Sequence, residues 1–188
     1  MPVDAPQGRR LVIDADVVGF TGGDASDASN ADPNLGVCRK FLQTALDGGH
    51  VAKLPVALER EWDAHQSWFS RIWRVGMESA EQFDRSEVLE DQALRADLDN
   101  AASDASVREN MRKDYHLLEA ALADNPHNPV VSRERRVRGH FRRAAQNVPA
   151  IAPVVWVNPT LGEDTPIAWL QDGAPDEAHR MLGYCAPS

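Results

Sequence analysis

The sequence predicts an α/β protein with a largely parallel sheet flanked by helices. Two observations carry this: strand-like and helix-like segments alternate through most of the 188 residues, and the strand-like runs are short, apolar and rich in β-branched residues. The length suits one domain with a helical excursion and is enough to bury a core without disulfides or a structural metal.

The first run, Arg9 to Ile13, contains Leu11-Val12-Ile13 and places Asp14 at the carboxyl end of a buried strand. From Gly22 to Asp32 the chain is rich in Asp, Ser, Ala and Asn, lacks apolar residues to pack, and is expected to form a mobile loop. Asp32-Pro33 has the form of an N-cap and first helical position. It opens a helix through Leu35, Val37, Phe41 and Leu42 that stops at Gly48-Gly49. His50 to Leu54 is a second strand. Pro55 then begins one long helix through Trp62, Trp68 and Trp73, whose tryptophans are expected to pack rather than stack on bases.

Residues from about 78 to 110 are strongly acidic and carry helical patterning at Val88, Leu89, Leu94 and Leu98, as an inserted helical hairpin would. A helix from about Ser106 to Ala123 includes Asp114. Pro129 to Ser132 is a third strand, followed by a basic helix, Arg133 to Ala145. Pro153 to Val157 is a fourth strand, and a short helix near Asp176 to Leu182 closes the chain.

A formal net charge of -9 argues against nonspecific coating of nucleic acid, which needs cations to displace phosphate counterions. Cys38 and Cys185 belong to no Cys-x-x-Cys or Cys/His spacing, so neither a disulfide framework nor a zinc site is expected. No basic leader precedes an apolar stretch, and no apolar run is long enough to span a bilayer, so the expectation is a cytoplasmic protein with no membrane partner.

Three acids share one address. Asp14 closes the first strand, Glu61 lies early in the helix after the second, and Glu134 starts the helix after the third; the helix bearing Asp114 leads into that third strand. Ligands of parallel sheets gather at the carboxyl ends of strands. Carboxylates converging there would repel one another unless a hard cation such as Mg²⁺ or Mn²⁺ neutralised them, and paired metals support phosphodiester hydrolysis. The run Arg133, Arg135, Arg136, Arg138, Arg142 and Arg143 begins beside Glu134 and suits contact with an RNA backbone, or with an acidic partner. The remaining histidines show no ligand spacing. His116 stands out only because it lies beside Asp114.

The segment Leu11-Val12-Ile13-Asp14-Ala15-Asp16-Val17, the block Lys113-Asp114-Tyr115-His116-Leu117-Leu118-Glu119-Ala120-Ala121-Leu122, the turn Val130-Val131-Ser132-Arg133-Glu134 and the late Trp156-Val157-Asn158-Pro159 together resemble the PIN-domain ribonucleases. That resemblance implies a three-layer α/β/α domain with a mainly parallel sheet of four or five strands, spanning 1–188 with a helical insertion at about 78–110. It implies a Mg²⁺- or Mn²⁺-dependent endoribonuclease with Asp14, Asp114 and Glu134 as metal-binding acids. The second acid comes from the helix after Pro55 and is Glu61 or Glu59; Glu61 is preferred because the apolar Trp62 follows it. Asp16 and Ser132 stand at the edge of the implied site, and Arg133, Arg135, Arg136 and Arg138 at its RNA-binding flank.

Small prokaryotic members of the family resemble toxins of toxin-antitoxin pairs, so an antitoxin or other regulator, or a homodimer, is an implied partner. Glu134 departs from the usual Asp, which leaves open a PIN-like fold kept as a binding module with a weakened metal site. Asp14-Ala15-Asp16 also resembles the nucleophile motif of haloacid-dehalogenase-like phosphatases. Against that stands the supply of lysines, only Lys40, Lys53 and Lys113, with no matching Gly-Asp motif behind them.

Overall fold

A computed structural model describes residues 8–22 and 32–185. Five parallel strands form one sheet: β1 (Arg10–Ile13), β2 (Val51–Lys53), β3 (Phe83–Asp84), β4 (Val130–Val131) and β5 (Trp156–Val157), in the spatial order β3-β2-β1-β4-β5. Leu11, Val12 and Ile13 are at most 1% exposed, because a parallel sheet covered on both faces has no wet side for alternate residues to occupy.

The described residues hold nine helices: α1 (Ala15–Gly19), α2 (Pro33–Asp47), α3 (Val56–His65), α4 (Trp68–Ser79), α5 (Gln92–Ala101), α6 (Ala105–Arg112), α7 (Tyr115–Leu122), α8 (Arg135–Ala144) and α9 (Pro166–Gln171). α2 packs with α4 and α9, α5 and α6 pack with α8, and α7 lies against β1 and β4, giving the three-layer α/β/α arrangement. None of these helices is long and apolar enough to cross a membrane. Cys38 is a buried free thiol and Cys185 an exposed one.

Several elements follow the sequence closely. Asp32 caps α2 by accepting the Asn34 N–H at 2.9 Å, Pro33 occupies its first position, and Gly49 takes a φ of 69° just beyond its end, a conformation that a side chain disfavours. Of the expected loop between Gly22 and Asp32, residues 23–31 lie outside the described residues.

Four expectations are corrected. The single helix from Pro55 through Trp73 is two, α3 and α4, parted where Gln66 and Ser67 adopt extended backbone and the Ser67 hydroxyl caps α4 by accepting the Ser70 N–H. The helix from Ser106 to Ala123 is likewise split into α6 and α7 at Lys113-Asp114. The acidic excursion at 78–110 is not wholly helical: it supplies β3, an edge strand of the sheet, before α5 and most of α6, which open on Asp91 and Asp104 caps. Near the carboxyl end, the expected helix at 176–182 is one 3-10 turn, Ala178–Arg180, while α9 lies in a stretch for which no helix was expected. Among the tryptophans, Trp62 and Trp73 are buried, but Trp68 is 56% exposed.

Candidate active site

The sheet order sends the chain from β1 to β2 on one side, while β4 pairs with the other edge of β1. The loops leaving β1 and β4 therefore diverge, and a crevice opens between them where ligands of such sheets bind. Here it is a cleft of about 650 Å³, lined by Asp14, Asp16, Glu61, Asp114 and Glu134 together with Lys113 and Arg133 among others.

Asp14 follows β1 directly and caps α1, accepting the Asp16 N–H at 3.3 Å. It is 6% exposed. Burial raises its pKa, against the opposing pull of a hydrogen bond from Ser132 and the nearby His116. Asp16 turns toward the strand beyond and accepts the backbone N–H of Arg133 at 3.1 Å. Burial, then the charge of Asp14, push its pKa up to about 8.

Asp114 reaches the cleft because the chain breaks there between α6 and α7, with φ -115° and ψ 11° at the aspartate itself. Burial pushes its pKa up to about 7, and the charges of Asp14, Glu134 and Glu61 add to the shift. Those three acids are thus close enough to Asp114 to disfavour its ionised form. Glu61 comes from α3, and its Oε2 lies 3.1 Å from Nε2 of His116, although the atoms are poorly aligned for a hydrogen bond. Glu134 stands exposed at the head of α8, its own N–H donated to the Ser132 hydroxyl at 3.1 Å.

Glu59 does not line the cleft. One turn of helix carries 3.6 residues, so positions 59 and 61 point to nearly opposite sides of α3. The Glu59 carboxylate instead meets Arg74 at 3.5 Å and Arg85 at 3.3 Å.

The arginines divide by environment. The Arg133 guanidinium stacks 3.3 Å from the ring centroid of Phe20 at the rim of the cleft. Arg135 and Arg136 are exposed on α8. Arg138 is buried, and its Nη1 donates to Asp164 at 2.7 Å, so its terminal nitrogens are engaged inside the fold rather than exposed like those of Arg135 and Arg136. Of the three lysines, Lys53 is buried between Asp84 and Asp124, at 3.2 and 3.1 Å, and only Lys113 lines the cleft. Sequence reasoning missed Lys113 and Asn110 as lining residues. Asn110 lies four residues ahead of Asp114, a spacing that could have found it, whereas Lys113 carried no such signal.

The donor set is all carboxylate oxygen, and neighbouring acids add to the burial that raises the pKa of Asp16 and Asp114, chemistry that a hard divalent cation would satisfy. Among the described residues, however, no three His, Cys, Asp or Glu side chains are gathered as a group able to hold a metal ion. The acids share a cleft without forming a closed ligand shell.

No family model matches the chain, and no curated protein or solved structure matches it.

Proposed function

We propose that the chain is a metal-dependent endoribonuclease of the PIN type. The observation that carries this reading is the convergence of Asp14, Glu61, Asp114 and Glu134 on one open cleft at the carboxyl ends of β1 and β4. Asp14, Asp114 and Glu134 would hold Mg²⁺ or Mn²⁺, with Glu61 completing the acidic wall. Such an ion supplies a water of lowered pKa and offsets the charge that builds on the phosphate oxygens.

The protein's own groups do the rest. Ser132 and the Asp16 N–H fix the Asp14 carboxylate by hydrogen bonds, while Asp16 ties the β4–α8 turn to the end of β1 through the Arg133 N–H. Lys113 and Arg133 place positive charge at the walls of an otherwise acidic cleft, where a phosphodiester has to enter. His116 stands beside Glu61, its Nε2 3.1 Å from the Glu61 carboxylate.

The test is cleavage of single-stranded and structured RNAs in Mn²⁺, Mg²⁺ or EDTA by the wild type and by Asp14→Asn. Metal-dependent cutting that disappears in the variant supports the reading. No cutting in any metal overturns it in favour of the second reading, a PIN-like binding module, which is favoured by the lack of a three-ligand group among the described residues.

A further inference from the structure

On the flank of α8 turned away from the acidic cleft lies a smaller pocket of about 170 Å³, lined by Arg135, Arg138, Gly139, Arg142, Leu161 and Glu163. Its three arginines recur at positions i, i+3 and i+7, so they form one stripe along the helix. Gly139 contributes no side chain to fill it. Two features set this stripe apart from an ordinary solvated basic face.

The first is unmet hydrogen-bonding capacity. The Nε of Arg138 and the Nε of Arg142 are both buried and have no partner among the described residues, whereas buried donors in folded proteins are normally satisfied. Arg138 spends its two terminal nitrogens on Asp164, at 2.7 and 3.4 Å. Arg142 donates Nη2 to the carbonyl of His179 at 3.2 Å. Neither contact uses Nε.

The second is charge imbalance. Glu163 is the sole acid in the lining and is exposed, while Asp164 behind it is already occupied by Arg138 and by the Asn158 N–H at 2.7 Å. Burial, with the Arg138 charge beside it, holds the Arg142 guanidinium below its usual pKa. An anion entering the pocket would relieve that repulsion.

We propose that this pocket binds a phosphate group of a nucleic-acid strand, with the exposed fork of Arg135 as donor and the guanidinium charges of Arg138 and Arg142, whose Nε–H groups are buried and unpartnered, behind it. A guanidinium edge matches paired oxyanion oxygens better than an ammonium does. Glu134 and Val137 line the acidic cleft from the same helix, so a strand crossing the head of α8 can set one phosphate at the cleft and another here. The inference rests on the nuclease reading for its choice of ligand, but its test needs no cleavage.

Full-length Asp14→Asn protein in EDTA is titrated with inorganic phosphate, and with chloride at equal ionic strength, while the arginine Nε–Hε resonances are followed by NMR. Phosphate is expected to shift the Arg138 and Arg142 signals where chloride does not. Binding of a fluorescent decauridylate is then compared across Arg135→Gln, Arg142→Gln, Arg142→Lys and, as a distant control on α4, Arg71→Gln. Loss of a charged donor should weaken the oligonucleotide about tenfold and lower the slope of log affinity against log salt by about 0.7. Arg142→Lys, which keeps the charge but loses the fork, should recover only part of the affinity. Arg135 is exposed, so its variant tests the pocket without disturbing the core.

Oligonucleotide affinities equal to that of Arg71→Gln overturn the proposal. Resonance shifts with phosphate but unchanged oligonucleotide affinity also overturn it, and leave a site for free phosphate. A pocket that passes both tests in a protein whose wild type cuts no RNA supports the proposal and removes the nuclease reading alone.

Discussion

The indole Nε1 of Trp62 donates to the carbonyl of Ile13 at 2.8 Å, so the residue after Glu61 is fastened to the residue before Asp14. The bond has a local cause. Val51 donates its N–H to the carbonyl of Arg9, and continuing in steps of two along the parallel pair would ask Pro55 to serve Ile13. Proline has no N–H to give. The tryptophan supplies the missing donor and, in doing so, sets α3 against the end of β1.

Trp62→Phe should therefore destabilise the protein by roughly 1–3 kcal/mol, because a buried carbonyl loses its partner. Trp73→Phe should cost less. Its indole donates to Leu42 at 2.7 Å, but that carbonyl lies inside α2, where the helix already supplies an N–H. Urea unfolding of both variants checks the order, and equal losses would refute the role given to Pro55.

Asp114→Asn should stabilise the protein in EDTA by about 1 kcal/mol, since it removes an ionised group that burial and three neighbouring acids disfavour. With saturating Mg²⁺ the order should reverse, the wild type gaining more than the variant through ligand binding. Thermal melts under the two conditions decide it. A variant less stable than wild type in EDTA would contradict the repulsion inferred for the cleft.

His50 provides a pH dependence outside the cleft. Its Nδ1 accepts the Arg9 N–H at 3.1 Å and its Nε2 donates to the Leu170 carbonyl at 3.0 Å, a pattern that only the neutral ring satisfies. Burial holds its pKa below the ordinary 6.5. Above 6.5 neither the folded nor the unfolded ring carries a proton, and the contribution is complete. As pH falls below 6.5 the unfolded chain takes up the proton first, so the contribution declines until the pH passes the folded value. His50→Gln should therefore be less stable than wild type by about 1–3 kcal/mol at pH 7.5, with the gap narrowing toward pH 5. A gap that stays constant across urea titrations at these pH values would refute the assignment.

Much of this architecture was legible in the residues. Leu11-Val12-Ile13 and Val130-Val131 announced the two central strands, and Asp32-Pro33 with Gly48-Gly49 bracketed α2 to within a residue. β3 was not, because two paired residues are too few to show any period. Nor were the breaks at Ser67 and Asp114, which contain neither proline nor glycine. Tertiary packing places them, and only the capping potential of Ser67 hinted at the first.

At the site, Asp14, Asp114 and Glu134 were reached by their positions after or before strands, and all three line the cleft. The choice of Glu61 over Glu59 could be argued only from Trp62 beside it, whose indole proves to be the anchor. The burial of Arg138 could not be foreseen, since its partner Asp164 lies 26 positions away in a segment with no evident pattern.

The bond from the Arg133 N–H to the Asp16 carboxylate joins positions 117 apart in the chain. During synthesis, at roughly 5–20 residues per second, β1 therefore waits on the order of ten seconds for β4, with one edge of the Leu11-Val12-Ile13 strand bare. β2 can cover the opposite edge early, but nothing made before residue 130 can cover this one. The acidic cleft is accordingly among the last features a growing chain can complete, and a product that ends before Val130 has three of the five strands and lacks Glu134.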